Sequence, residues 1–371
     1  MWHCSYHVHL CYLCTLVLAF FGYSCNGRIS CLDGEGAPVD WFIIYKLPAL
    51  PDHKDPHVQK GRGHLYMDAR VGEWVLPGTE VGSRTGALGH TLQQMYDNVN
   101  RMRQEQGAYF AYNDQWPDGQ LHKNKGHAKG SILFDKEGGF WLVHSLPRFP
   151  NWLEESYTWP VGDFSTKYAH IFMCVTFEHN AFRMIGKLLM YMEPAIYDAS
   201  LPASLQEDNP YFSPAMDGIG PAVPPWNKKA PLLSRGGVDV LSFTKSSNYT
   251  EEMYKAFVGK HLDSDLAVQS WRTSKDSIPN CCWKPKVKNV KKLKLPYDVE
   301  FASSKDKSKW AVTTGGKSKW TCIGDLDRQE REMKRGGGTL CLKVPGVWQA
   351  FTSAVADTEK CKKTIDKKTE L

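Results

Sequence analysis

GHAKGSILFDKEGGFWLVHS, residues 126–145, holds a His-x-Lys element, an apolar run, a glycine turn and a second apolar run in one short segment. On a β-strand, residues i and i+2 point to the same face, so His127 and Lys129 project together at the entry to GSILFD (130–135). The turn KEGG (136–139) then leads into a second strand, FWLVHSL (140–146). A phosphodiester calls for this pair of side chains: an ammonium for the non-bridging oxygens, and an imidazole to attack phosphorus or move a proton. In a chain with 13 histidines a lone His-x-Lys also arises by accident, as a surface histidine near a turn. A second segment has the same cadence. DKSKWAVTTGGKSKWTC (306–322) again runs residue, spacer, Lys, apolar run, glycine pair and Trp, but its leading residue is Lys307, giving Lys307-Ser308-Lys309.

Around these segments the chain alternates strands and helices. VDWFIIYKLP (39–48), GHLYMDAR (63–70), AYFAYND (108–114) and HIFMCVTF (170–177) read as further strands. In 88–104, Leu88, Leu92, Met95, Val99 and Met102 form the apolar stripe of a helix, and 180–193 is a second helix. Residues 201–235 are rich in Pro and Gly and read as a connector between an N-terminal half (29–200) and a C-terminal half (236–357). Beyond the connector, a helix is expected in 250–262, strands in DLAVQSW (265–271), KWAVTT, WTCIGDL and GGGTLCLKV, and a closing helix over 346–356. The tail, 358–371, is polar and Lys-rich. The fold class is therefore mixed α/β, built from two similar halves.

The 371-residue chain has 42% hydrophobic and 23% charged residues, a globular composition that excludes extended disorder. Its net charge of +6 permits a polyanionic partner without requiring one. Positive charge crowds into 283–296, 305–320 and 360–368; taken together, 283–320 is expected to form an anion-facing surface. The apolar run Leu10–Tyr23 is too short to span a bilayer and fits the core of a signal peptide covering about residues 1–28, with a retained anchor as the alternative. No later segment is apolar enough to span a membrane, so no membrane span is expected in the mature chain. The widely spaced cysteines downstream (Cys31, Cys174, Cys281, Cys282, Cys322, Cys341 and Cys361) fit no paired CxxC zinc pattern and point to disulfides in an oxidising compartment. Asn248-Tyr249-Thr250 is a glycosylation sequon on the same route.

VDWFIIYKLP, YNDQ, GHAKGSILFDKEGGFWLVHSLPRFP, SKWAV, WTCIGDLDR and RGGGTLC occur in this order, and together they closely resemble the deoxyribonuclease II family from about Cys31 to Cys361. The resemblance implies a phospholipase D-like fold in which each half supplies a His-x-Lys element to one active-site cleft. It implies cleavage of DNA in acid without a metal or other cofactor, leaving 3′-phosphates by way of a phosphohistidine. It carries the first catalytic pair onto His127 and Lys129 and the second lysine onto Lys309. Lys307 stands where the second histidine is expected, and no histidine follows His261. Asp327 in GDLDR stands where the family usually has Asn, and a further carboxylate there would repel phosphate. The implied disulfides are Cys31–Cys174, Cys322–Cys341, and Cys361 with either Cys281 or Cys282. The glycines of RGGGTLC (335–341) read as backbone that needs a tight approach.

Three functional readings follow. One is a secreted acid endonuclease in which Lys307 substitutes for the missing acid. Another is a pseudoenzyme that binds DNA or another polyanion in the old cleft and acts as a secreted effector. The third is a different phosphodiester substrate. A lysosomal location is the alternative to export, and the resemblance also allows a homo-oligomer.

Overall fold

The computed structural model describes residues 28–97, 107–272, 275–316 and 318–360. The expected signal peptide, Cys361, Lys317 and most of the tail lie outside the described residues, as do Val99 and Met102 of the first expected helix.

A short ribbon, β1 (Cys31–Leu32) with β2 (Pro38–Val39), precedes the first large sheet. That sheet contains β3 (Trp41–Lys46), β4 (His64–Asp68), β5 (Ala108–Asn113), β6 (Lys129–Asp135), β7 (Gly138–His144), β8 (His170–Phe177) and β9 (Ile196–Ser200). Its spatial order is β4-β3-β8-β7-β6-β5-β9, antiparallel throughout. The second sheet comprises β10 (Asn227–Leu233), β11 (Asp239–Lys245), β12 (Leu266–Gln269), β13 (Val287–Leu295), β14 (Val299–Ala302), β15 (Trp310–Thr313), β16 (Thr321–Gly324), β17 (Gly337–Leu342) and β18 (Val355–Thr358). Its order is β10-β11-β17-β16-β15-β12-β13-β14, with β18 alongside β13.

Every residue of β3, WFIIYK, is buried, because both faces of its sheet are covered. Trp41, Ile43 and Tyr45 face the second sheet and share one core with Trp310, Val312, Ile323 and Leu340. Phe42 and Ile44 point the other way, beneath the stripe Leu88, Leu92 and Met95 of helix α1 (Ala87–Asp97). On the outer face of the second sheet, Met253, Tyr254 and Phe257 cover Phe243, Leu266 and Val268. The expected helix over 250–262 is thus present, though wound as a π-helix over Met253–Gly259 before a final α-turn. Helix α2 (Asn180–Met192) buries Phe182, Ile185, Leu188, Leu189 and Met192 in the core between the sheets. The mixed α/β class read from the sequence holds, as two sheets packed face to face with helices on their flanks.

Several local expectations change. The Pro/Gly-rich stretch carries short helices at Ala203–Gln206 and Phe212–Met216, and its end is strand β10, which begins the second sheet. The closing helix, α3, is Pro345–Ser353, and Val355 already belongs to β18. The basic run 283–296 is mostly β13, whose burial alternates so that Lys288, Lys291, Lys292 and Lys294 face solvent. Lys291 pairs with Asp357 and Lys292 with Glu300, and none of the four lines the cleft described below. The charge of this run belongs to a solvated strand face, so the expectation of one anion-facing surface over 283–320 is corrected.

Cys31–Cys174 ties the first ribbon to β8, and Cys322–Cys341 joins opposite residues of β16 and β17. The former closes a sequence separation of 143 residues, worth roughly 5 kcal/mol through lost entropy of the unfolded chain. Of the two neighbours left open by the sequence, Cys282 is disulfide-bonded and Cys281 is free. The expected partner, Cys361, lies outside the described residues.

Candidate active site

One end of the two sheets collects the chemistry. The chain leaves β5 at Asp114, enters β6 at Lys129, enters β15 just after Lys309, leaves β16 toward Asp325 and Asp327, and enters β17 just after Arg335. Antiparallel pairing places these starts and ends along one edge. Residues distant in sequence there line a single cavity of about 680 Å³, and His127, Lys129, Lys307 and Lys309 are among them. Lysines and arginines dominate the lining, facing only the carboxylates Asp114, Asp327 and Glu332.

Two glycines bring the halves together. A Cβ on Gly126 would stand 1.9 Å from the carbonyl oxygen of Met192, and one on Gly336 would stand 2.3 Å from the same atom. The His127 amide donates to the Gly336 carbonyl at 2.9 Å, stitching the His127-x-Lys129 segment to the RGGG segment. Gly336 serves the close approach inferred for RGGGTLC, and Gly126 serves the same contact from the other side. On the second element, the Asp306 carboxylate accepts from the Tyr45 hydroxyl at 2.5 Å and from the Ser308 amide at 2.8 Å. The Lys307 amide donates to the Ala169 carbonyl and the Gly324 amide to the Lys309 carbonyl. The backbone carrying Lys307 and Lys309 is therefore fixed by the first half as well as the second.

Each functional side chain has a partner. His127 Nδ1 meets Glu332 Oε2 at 2.8 Å. Burial raises the Glu332 carboxyl, but the His127 ring and the Arg335 guanidinium outweigh it and bring its pKa down to about 2. Lys129 Nζ bonds Asp114, whose other oxygen accepts from Arg335 Nη2 at 3.0 Å. Although burial opposes ionisation of Asp114, its cationic neighbours hold it below the usual carboxylate range. Lys309 Nζ stands 3.8 Å from Asp327 Oδ2, while Asp327 Oδ1 accepts from the Trp271 amide at 2.8 Å. The Lys307 ammonium lies 4.2 Å from the ring centre of Tyr168 and 5.1 Å from that of Trp271, a cation–π seat. Desolvation first, then Lys309 and Lys129, lower its pKa, and Asp327 acts in the opposite sense.

His127, Asp327 and Glu332 bring one potential ligand atom each to within 4.8 Å of one another. Lys309 already neutralises Asp327, and the cations of the lining surround the set, so the site suits a phosphate rather than a metal ion. The histidines carried by strands of the first sheet do not line the cavity. His64, His144 and His170 are buried, and burial lowers His64 to about 4 and His144 to about 3.

Glu332, Asp114, Arg335 and Trp271 were missed as site residues. Asp114 sits in YNDQ and Arg335 in RGGGTLC, both quoted for the family resemblance, so those blocks carried the signal. Glu332 lies in a 3₁₀ turn, Glu330–Lys334, and nothing in its local pattern marks it.

Asp325 lies beneath the site, fully buried, accepting from the Gly338 amide at 2.9 Å. Burial pushes its carboxyl up to about 7. The folded chain therefore keeps a proton that the unfolded chain loses near an ordinary aspartate value. The stability from this proton is fully present below about pH 4 and is lost as pH rises to about 7. Asp325→Asn should match the parent in thermal unfolding at pH 4 and exceed it at pH 7.5. A gap independent of pH would contradict this account.

The fold thus brings His127, Lys129, Lys307 and Lys309, carried by two sheets, to one cleft rich in basic side chains. The profile of the family described as Deoxyribonuclease II matches residues 30–361. Similar proteins include plancitoxin-1 of Acanthaster planci, 36% identical over 94% of this chain and 97% of that one. Deoxyribonuclease-2-alpha of Sus scrofa is 36% identical over 95% and 96%, and cell death-related nuclease 6 of Caenorhabditis elegans is 31% identical over 96% and 95%. The chain belongs to the deoxyribonuclease II family, and its mixed α/β architecture is consistent with a phospholipase D-like fold.

Proposed function

We propose that this protein binds the phosphodiester backbone of DNA in the cleft and cuts it slowly or not at all, because Lys307 replaces one of two required imidazoles. The observation that carries this reading is a single cavity shared by His127, Lys129, Lys309 and Lys307, with only one imidazole among the four.

In the full reaction, Nε2 of one ring attacks phosphorus, forming a P–N bond as the P–O5′ bond breaks. The leaving 5′-oxygen takes a proton from the second ring, and water then hydrolyses the P–N bond to leave a 3′-phosphate. Here Glu332 engages Nδ1 of His127, which orients the ring and leaves Nε2 for phosphorus. Lys129 and Lys309 hold the non-bridging oxygens. The leaving oxygen meets an ammonium whose reference pKa is about 10.4, a reluctant donor in place of a ring that titrates near 6.5. A second reading, a slow nuclease with Lys307 as the acid, is favoured by one observation: desolvation and the neighbouring lysines lower its pKa.

No helix among the described residues is long and apolar enough to cross a membrane. The disulfides and the exposed sequon at Asn248 support an oxidising, secretory route, either extracellular or lysosomal, and glycosylation of Asn248 is part of the same proposal.

The test is binding of a labelled duplex oligonucleotide in EDTA across a salt series. Logarithmic affinity should fall linearly with the logarithm of salt, with a slope that reports several phosphate contacts. Absence of binding at low salt would overturn the proposal.

A further inference from the structure

The lysines nearest the reaction centre are not equally free. Asp114 satisfies Lys129 and is itself held by Arg335. Lys307 rests on two aromatic rings. Lys309 is buried and faces the Asp327 carboxylate at 3.8 Å, too long for a strong hydrogen bond and close enough for attraction. Asp327 lines the cavity and is anchored from below by the Trp271 amide, so it cannot swing away without losing that bond. One of its carboxylate oxygens lies within 4.8 Å of potential ligand atoms of His127 and Glu332, next to the ring that would attack phosphorus.

We infer that Asp327 is an internal counter-anion that occupies the charge seat of Lys309, so that an entering phosphate must compete with it, and that this residue sets the affinity of the cleft. The inference rests on the phosphate-binding reading above and adds a residue that limits that binding. The charged and titratable groups facing Asp327 are His127, Glu332, Lys307, Lys309 and Tyr254. Among them the lysines and the histidine draw a phosphate in, while Glu332 is already committed to His127. Burial raises the Asp327 carboxyl, so acid relaxes the competition before it would on an exposed aspartate. Placing a carboxylate beside Lys307 and Lys309 also offsets the cost of clustering lysines in a buried pocket, so the residue that weakens ligand binding helps the empty cleft to fold.

Asp327→Asn keeps an oxygen acceptor for the Trp271 amide and removes the charge. At pH 7.5 the full chain carrying it should bind a labelled duplex, and inorganic phosphate used as a competitor, at least about tenfold more tightly than the parent. The salt slope should steepen by up to about one contact, since Lys309 no longer shares its charge between Asp327 and the phosphate. The advantage should shrink as pH falls, because burial makes the parent carboxyl take up its proton earlier than an exposed aspartate would. It should also vanish when Lys309→Ala is added, which a purely structural effect of the amide would not do. Asp327→Ser, which retains an acceptor, must move affinity in the same direction if the amide variant does not fold. Duplex binding by parent and variant with equal affinity and equal salt slope would overturn the inference while leaving the phosphate-binding cleft intact. Failure of both to bind would instead remove the reading beneath it.

Discussion

Lys307→His should raise the rate of plasmid nicking at pH 5 in EDTA by at least about 10²-fold, because it restores a positioned acid whose pKa lies near the working pH. The backbone that would carry the new ring is already fixed, through Asp306, the Ala169 carbonyl and the Gly324 amide. The walls also suit an imidazole: Tyr168 and Trp271 offer aromatic faces that now hold the ammonium. Binding should change far less than turnover, since a protonated imidazole still contributes one positive charge. Conversion of supercoiled to nicked plasmid, followed over time beside a binding measurement, separates the two effects. A folded variant that binds DNA but remains as slow as the parent would show that the missing ring is not the cause of slow cleavage.

The second large effect falls on His127. In the Lys307→His background, His127→Ala should return cleavage to the parent level or below, a loss of at least about 10²-fold, with DNA affinity reduced only severalfold. Removing the nucleophile forfeits the covalent step, whereas the phosphate keeps Lys129 and Lys309. Glu332→Gln should be milder, because its carboxylate meets Nδ1 at 2.8 Å and its loss would loosen the orientation of the ring rather than remove it. If the His127→Ala double variant retains the gained activity, the nucleophile lies elsewhere.

How far the sequence could be read depended on whether a pattern was local. The strands over WFIIYK, AYFAYN, KGSILFD and GGFWLVH were readable because each is an apolar run bounded by turn residues. Strand β13 was not, because its buried Val287, Val290, Leu293 and Leu295 alternate with exposed lysines and the charge masked the period. Strand β10 was hidden in a Pro-rich context, where Pro231 sits on a strand at the edge of its sheet, a place that tolerates a missing amide donor. At the site, His127, Lys129, Lys307 and Lys309 were visible as two short cadences, and the fold brings all four to one cavity. Their partners were harder to find. Glu332 is 205 residues from His127, and Asp114 is 221 from Arg335, so only the folded chain reveals that each charge is paired. The basic run read as part of an anion surface was the converse error: lysine density marks a solvated strand as readily as a binding face.

The most direct test of a cleft that grips DNA with one imidazole is plasmid turnover by the unaltered protein at pH 5 in EDTA, at enzyme concentrations that saturate binding. The DNA is predicted to be retained and to stay overwhelmingly supercoiled. Rapid nicking to 3′-phosphate ends, abolished by Lys307→Ala, would contradict that account and make the lysine a competent acid.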